Sequence, residues 1–255
     1  HDAGVLLEAM LHLGTLGAVF MTFQKDIRHI LYEMLDMILD IVGNAHLYIH
    51  NRRTGKQLHY ARIISNTYRK FAVLLLVSMI PTALLGYTAR RLVVLAADSV
   101  LIPSAGLLVT GIVLLVIDLA RTGGTKAAKD ANLSDAMWIG LCQGISVFPG
   151  LSRSGLTISA GLMSGFSRTF AVKYSYILSI PAIIGSLIME LGQFGSPAMT
   201  VGLGFAYVLG MIVSGVTAFL VIRYCLKLVH KGRFRVFAIY CFVIGLVTLI
   251  INHML

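Results

Sequence analysis

Six long apolar segments constrain the fold of this chain more than any other feature. Each is close to the ~20 residues that an α-helix needs to cross a bilayer. Hydrophobic residues make up 57% of the 255-residue chain and charged residues only 13%, which excludes an ordinary soluble domain. The sequence therefore predicts an all-α polytopic membrane protein with six transmembrane helices, over residues 3–22, 71–88, 99–119, 169–191, 200–222 and 236–253.

A further apolar stretch, residues 136–166, does not fit a simple crossing. Its first arm, 136–148, is too short to span a bilayer. Pro149-Gly150 then breaks the helix, and a second short helix follows over 152–166. Two half-length helices that meet at a polar tip indicate a re-entrant helical hairpin.

The order of these elements predicts an inverted repeat within one transmembrane domain, 1–255. Residues 136–255 hold the hairpin and three spans, whereas 1–135 hold three spans and no hairpin. Inverted repeats whose broken helices meet near the midplane recur in membrane proteins. We therefore expect the first repeat to lack its hairpin here, because that hairpin would precede His1.

The net charge of +10 resides mostly in a few loops. A helix over 25–41 has amphipathic spacing and is predicted to lie on the membrane surface, followed by a basic loop, 44–70, against anionic headgroups. This interpretation accounts for the charge without nucleic acid. The positive-inside rule then predicts the orientation, with loops 23–70, 120–135 and 223–235 in the cytoplasm and loops 89–98 and 192–199 outside. The hairpin must enter and leave from the cytoplasmic side, and the C-terminus lies outside.

The predicted hairpin tip, residues 149–157, gathers one arginine, three hydroxyls and two glycines. Hydrocarbon offers no hydrogen bonds, so such a cluster is buried in protein or lines a wet cavity. Glycine-rich backbone and an arginine fork suit phosphate oxygens, which predicts a phosphate or diphosphate cradle. The alternative is close helix packing with an arginine that reaches the interface.

Three other polar residues in apolar segments leave their roles open. Glu8 and His12 share one face of the first span, either as a cavity-facing pair or as residues at the membrane interface. Gln143, on the first arm of the hairpin, either adds a polar group near the tip or packs as a satisfied amide.

Gly161 and Gly165 form a G-x-x-x-G pair, which fits packing within the chain as well as a homodimer.

The tip sequence carries a family resemblance. Residues 149–159, Pro-Gly-Leu-Ser-Arg-Ser-Gly-Leu-Thr-Ile-Ser, match the P-G-x-S-R-S-G-x-T-I-S signature of the undecaprenyl-diphosphate phosphatases, the bacitracin-resistance family of bacterial inner membranes. The likeness extends to Gly165–Arg168, Ser179–Ala182 and Leu11–Leu16, and it covers nearly the whole chain.

The resemblance implies hydrolysis of a C55 polyprenyl diphosphate to its monophosphate on the outer face, which recycles the lipid carrier of the cell wall. Its partners would be that lipid and the surrounding membrane lipids, and its cofactor a divalent cation, Mg²⁺ or Ca²⁺. By the matching motif, Arg153, Ser152 and Thr157 would be catalytic. The same motif implies a diphosphate site formed by Gly150, Ser152, Arg153, Ser154, Gly155 and Thr157.

One departure from the family pattern leaves the metal ligands unknown. The family also has an upstream acidic (E/Q)-x-x-x-E pair followed by S-S-T-G-H, and these 255 residues contain neither. Ser152 has no base nearby in sequence, which favours a ligand over a nucleophile. A polyprenyl-phosphate transporter or flippase is the alternative function, because broken helices at the midplane are also a transporter feature.

Overall fold

The computed structural model describes residues 2–55, 58–97, 99–121, 123–190 and 201–254. Within these ranges the chain forms helices joined by short turns. They are α1 (Asp2–Thr54), α2 (Thr67–Ala97), α3 (Leu101–Leu119), α4 (Leu133–Ile145), α5 (Arg153–Met163), α6 (Arg168–Glu190), α7 (Val201–His230) and α8 (Arg235–Met254).

Six of these helices are long and apolar enough to cross a membrane, and each overlaps one of the six predicted spans. The two others, α4 and α5, have 13 and 11 residues, which at 1.5 Å per residue is well short of a bilayer. The prediction of a polytopic all-α protein is therefore confirmed.

The helices α4 and α5 form the predicted hairpin. Backbone hydrogen bonds join the segment before α4 to the segment after α5, at the base of the hairpin. Lys126 pairs with Phe166 in an isolated parallel bridge. The Gly124 amide donates to the Phe166 carbonyl at 3.0 Å, and the Ser167 amide donates to the Lys126 carbonyl at 2.9 Å. Because the segments flanking both arms meet here, the hairpin begins and ends at the same end of the bundle.

The G-x-x-x-G pair takes part in packing within the chain. A Cβ on Gly161 would lie 3.2 Å from the Ala171 Cβ, so this glycine lets α5 approach α6 closely. Gly165 follows the end of α5 with φ of 85°, a left-handed conformation that favours glycine. The pattern thus gives no argument for a homodimer, which stays a prediction.

The element α1 consists of two helical arms joined at a kink. Phe23, with φ of −111° and ψ of 22°, is non-helical and separates the predicted span from the predicted helix over 25–41. The second arm continues to Thr54 and α2 begins at Thr67, so residues 44–54 and 67–70 of the predicted loop are helical. The position of the second arm on the membrane surface stays a prediction. Of the predicted apolar stripe, Ile27 and Ile30 are buried, whereas Ile38 is 54% exposed.

The segment that follows α1 folds back along it through asparagine side chains. Asn44 bonds both backbone groups of Ala61, donating to the carbonyl and accepting from the amide, each at 2.8 Å. Asn51 does the same with Leu58, at 3.0 and 3.1 Å. Arg69, at the start of α2, donates to Glu33 at 2.9 Å, so ion pairing fixes the return to α1.

Close glycine contacts pack α1 against α7. A Cβ on Gly14 would collide with the Met211 carbonyl, and Gly215 faces Gly14 in turn. Ser214 donates to the Leu11 carbonyl at 2.9 Å across the same crossing. The helices α3 and α8 form a second extended pair, and α2 packs along α4. The division into two repeats stays a prediction, and loop 192–199, part of the predicted orientation, lies outside the described residues.

Candidate functional site

The hairpin tip rests on α3 by backbone contact. Gly150 has φ of 83°, and a Cβ there would collide with the Pro103 carbonyl. A Cβ on Gly106 would lie 2.5 Å from the Pro149 carbonyl oxygen. Only glycine permits this approach on both sides, so the two glycines hold the tip tightly against α3.

Thr110, on α3, ties the tip down with its hydroxyl. The side chain is fully buried. Its oxygen accepts a hydrogen bond from the Ser152 amide at 3.1 Å and donates to the Gly106 carbonyl at 2.9 Å. Sequence reasoning missed Thr110, because nothing in an apolar helix marks one threonine as a partner of a loop some forty residues later.

Ser152 caps the second arm of the hairpin. It has an extended backbone, with φ of −76° and ψ of 112°, and its Oγ accepts from the Gly155 amide at 3.1 Å. This arrangement is an ordinary helix N-cap. The first amides of α5 therefore point away from the helix body at the tip, where the positive end of the helix dipole favours an anion.

Arg153 stands at the first position of α5 and lines a cavity of about 400 Å³. Within the described residues, no hydrogen bond or ion pair reaches its guanidinium. Other cations of the described chain pair with carboxylates: Arg69, Lys126, Lys173 and Arg235. An unpaired cation in a membrane helix bundle is costly, which makes Arg153 a candidate functional residue.

Hydroxyl groups line the cavity around Arg153, and we call it the polar cavity. It lies between the hairpin tip and helices α1, α6 and α7. Its polar lining consists of Thr15, Ser146, Arg153, Ser154, Ser175, Tyr176 and Ser179. The described lining has one cation, six hydroxyls and no carboxylate, a wall that suits an anion.

A second cavity, also about 400 Å³, lies on the other side of the tip, and we call it the apolar cavity. Its lining is mostly aliphatic, aromatic or cysteine side chains from α3, α7 and the start of α8, among them Leu107, Val229 and Phe237. Leu151 and Ser154 line both cavities, so the tip is the partition between them.

The structure places the predicted hydroxyl of Thr157 away from the cavities. Thr157 is 1% exposed, and its Oγ1 lies 2.8 Å from the Arg153 carbonyl oxygen. It also lies 2.5 Å from the Ser175 Oγ. The predicted diphosphate set is divided: Gly150, Ser152 and Gly155 line the apolar cavity, Arg153 lines the polar cavity, and Ser154 lines both. Thr157 contacts the polar cavity only through Ser175.

The other polar residues divide between surface and interior. Glu8 is exposed, and His12 is half-buried with a buried Nδ1 that has no partner in the described chain. Both share the α1 face of Thr15, which lines the polar cavity. Gln143 is 2% exposed, and its amide has no partner among the described residues. The expected satisfied amide is therefore wrong among the described residues, and the alternative, a polar group near the tip, stays a prediction.

The described residues do not form a ligand set for the implied divalent cation. Mg²⁺ and Ca²⁺ bind carboxylate and carbonyl oxygens. No three His, Cys, Asp or Glu side chains come together among the described residues. We therefore derive no chemical step through a metal.

Comparisons with known proteins agree with the signature at the tip. The chain is similar to undecaprenyl-diphosphatases of Methanosphaera stadtmanae (31% identical, over 100% of this chain and 87% of the relative) and Alkaliphilus metalliredigens (34%, 98% and 86%). The enzyme of that name from Desulforapulum autotrophicum is 35% identical, over 98% of this chain and 85% of its own. The family model of the bacitracin resistance protein BacA matches residues 1–247. Because that match covers nearly the whole chain, the protein belongs to the bacitracin resistance protein family.

Proposed function

We propose that this chain is an integral membrane phosphatase that hydrolyses undecaprenyl diphosphate to undecaprenyl phosphate and phosphate. That activity recycles the lipid carrier of the cell wall and confers bacitracin resistance. The observation that carries the proposal is the unpaired Arg153 in a hydroxyl-lined cavity, separated only by the hairpin tip from an apolar cavity of similar size.

The paired cavities fit an amphiphile with an anionic head and a long apolar chain. A diphosphate group finds Arg153, hydroxyls and the first amides of α5 on one side of the tip. An isoprenoid chain finds aliphatic and aromatic side chains on the other side. Since Leu151 and Ser154 line both cavities, the junction of head and chain lies at these two residues. The diphosphatase name of the relatives favours hydrolysis over transport.

Phosphoryl transfer depends mainly on position and charge neutralisation. Arg153 binds phosphoryl oxygens and stabilises the charge that develops on them. Ser152 holds the tip in shape, because its Oγ accepts from Gly155 and its amide donates to Thr110. In the described chain the Ser152 hydroxyl bonds the Gly155 amide and no base, and it lines the apolar cavity and not the polar one. We therefore assign Ser152 to shaping the tip and not to nucleophilic attack.

A divalent cation remains part of the proposal without assigned ligands. Bound near the diphosphate, Mg²⁺ or Ca²⁺ would neutralise phosphoryl charge. Activity of the full natural chain should then disappear with a chelator and return with added cation. Activity that is unchanged in excess chelator contradicts a metal requirement.

The test measures phosphate release from undecaprenyl diphosphate by the purified full chain in detergent. Arg153→Ala should abolish turnover, a loss of at least about 1,000-fold, since an arginine that stabilises the charge of a phosphoryl-transfer transition state contributes about 10³–10⁵. Arg153→Lys should restore little, because an ammonium lacks the planar fork. The matched control is Arg233→Ala, an exposed arginine that lines neither cavity.

Two outcomes contradict the proposal. Phosphate release that survives Arg153→Ala in a folded protein removes Arg153 from the site. A folded unmodified chain that releases no phosphate, yet moves the lipid between leaflets of vesicles, identifies a transporter, because transport alone releases none.

We also propose that the site opens towards the outside and that the C-terminus lies there. The basic residues at the base of the hairpin and at the α7–α8 turn support this orientation, since such residues favour the cytoplasm. Asn252→Cys, at the exposed end of α8, should react with an impermeant maleimide in intact cells. Reaction only after cell disruption reverses the orientation.

A further inference from the structure

We propose that Ser175, on α6, donates a hydrogen bond to the substrate's phosphoryl oxygens, and that Thr157 is a positioning residue that acts through it. The proposal rests on the proposed function and adds a residue to its site. Ser175 lines the polar cavity with Arg153, whereas the Thr157 hydroxyl lies behind it. The hydroxyl of Thr157, which belongs to the signature motif, is therefore separated from the polar cavity by Ser175.

None of the five other hydroxyls of the polar cavity is paired with a second hydroxyl in the described chain, as Ser175 is. Ser154 and Tyr176 make no side-chain hydrogen bond among the described residues, and the other three donate to backbone carbonyls of the preceding turn. These are Thr15 (to His12, 2.8 Å), Ser146 (to Gln143, 2.6 Å) and Ser179 (to Tyr176, 2.7 Å). The hydrogen bond recorded for the Ser175 hydroxyl goes to another hydroxyl, that of Thr157. Its proton is therefore not committed to the backbone.

The Thr157–Ser175 pair has two proton arrangements. In the first, Thr157 donates to the Arg153 carbonyl at 2.8 Å and Ser175 donates to Thr157. In the second, Thr157 donates to Ser175, and the Ser175 proton points into the polar cavity. The change needs only rotation of two O–H bonds. An anion in the cavity favours the second arrangement, because a hydrogen bond to a charged oxygen is about twice as strong as a neutral one.

Packing next to Ser175 fixes its position. The neighbouring Tyr174 donates to the Leu74 carbonyl at 2.8 Å and lies 2.6 Å from the Ser78 hydroxyl, which anchors α6 to α2. Ser175 itself is 3% exposed. Substrate binding therefore needs rotation of the two O–H bonds only, while the oxygen atoms of Ser175 and Thr157 keep their positions.

A double-mutant cycle tests both roles in the full natural chain. Ser175→Ala should lower kcat/KM for undecaprenyl diphosphate by about 10- to 100-fold. Thr157→Val, which keeps the shape of the side chain, should cost several-fold alone and almost nothing in the Ser175→Ala background, because its effect passes through Ser175. Ser186→Ala is the matched control, since this α6 serine donates to the Ile183 carbonyl and lines neither cavity.

A second readout separates this proposal from the proposed function. Binding of inorganic diphosphate, measured by calorimetry, should weaken with Ser175→Ala and show the same coupling with Thr157→Val. Loss of that coupling while phosphate release by the unmodified chain persists overturns the Thr157 role and leaves the phosphatase intact. Unchanged diphosphate binding and turnover in Ser175→Ala overturn the Ser175 role. A chain that binds diphosphate through Ser175 yet releases no phosphate overturns only the phosphatase.

Discussion

Replacing Gly106 by alanine should displace the hairpin tip and lower activity without unfolding the protein. The new Cβ would lie 2.5 Å from the Pro149 carbonyl oxygen and 2.9 Å from the Gly150 carbonyl carbon. Ordinary contact begins at 3.4 Å, so the tip has to retreat by about 0.9 Å. Both neighbours are backbone atoms of a tight turn, and they cannot rotate away as a flexible side chain would.

The size of the effect follows from this displacement. A shift of about 1 Å at a catalytic group can cost about 100-fold in rate, or roughly 2.7 kcal/mol of transition-state stabilisation. In a helix interior, alanine is also better than glycine by up to about 1 kcal/mol. Gly106→Ala should therefore lower kcat/KM by about 100-fold while the protein stays folded.

Gly17→Ala, on α1, is the matched control. It makes the same substitution within a helix, and a Cβ there meets nothing within 4 Å. Phosphate release and the thermal unfolding midpoint in detergent are measured for both variants. The reasoning is refuted if Gly106→Ala keeps activity within about twofold of the unmodified chain, because the tip position would then not set the rate.

Three further predictions concern stability and the cap. Ser152→Ala should destabilise α5 by about 0.5–2 kcal/mol yet keep measurable phosphate release; complete loss in a folded protein indicates a nucleophile. Tyr174→Phe removes the hydroxyl that bonds Ser78 and the Leu74 carbonyl, and it should cost about 1–3 kcal/mol, seen as a lower unfolding midpoint; an unchanged midpoint removes that network from the fold. Asn51→Ala should accelerate proteolysis between residues 55 and 66, and an unchanged cleavage rate shows that the asparagine pairs do not hold this segment.

The spans and the hairpin could be predicted because the thickness of the bilayer sets the length of a helix that crosses it. A helix must satisfy its own backbone in hydrocarbon, so apolar length alone separates α3 or α8 from the short arms α4 and α5. Pro149-Gly150 marks the point where one arm ends, and the structure places the turn there. These features depend on local sequence and on length.

The end of the second arm of α1 could not be predicted in the same way. Charge and polarity after Phe23 predict a helix followed by a loop, and the sequence does not mark the residue where that helix ends. The helix continues to Thr54, where tertiary contacts support it. Asn44 and Asn51 bond the returning backbone, and Arg69 pairs with Glu33.

The candidate site also contains residues that the sequence could identify and residues that it could not. Arg153 and Ser152 could be found, because an arginine and hydroxyls in an apolar chain are unusual in themselves. Thr110 and Ser175 could not, since one threonine or serine in a membrane helix is ordinary until its partner is known. Each acts through a contact between distant segments, α3 with the tip and α5 with α6.

A re-entrant hairpin solves a physical problem that a straight helix does not. A diphosphate needs backbone amides and a cation, whereas its isoprenoid chain needs an apolar wall, and a membrane-crossing helix exposes no free amides at depth. Ending α4 and starting α5 within the bundle exposes the first amides of α5 beside Arg153. The same turn places Leu151 between the two cavities. Under the proposed function, the break in the helix supplies both the diphosphate-binding groups and the partition between the two cavities.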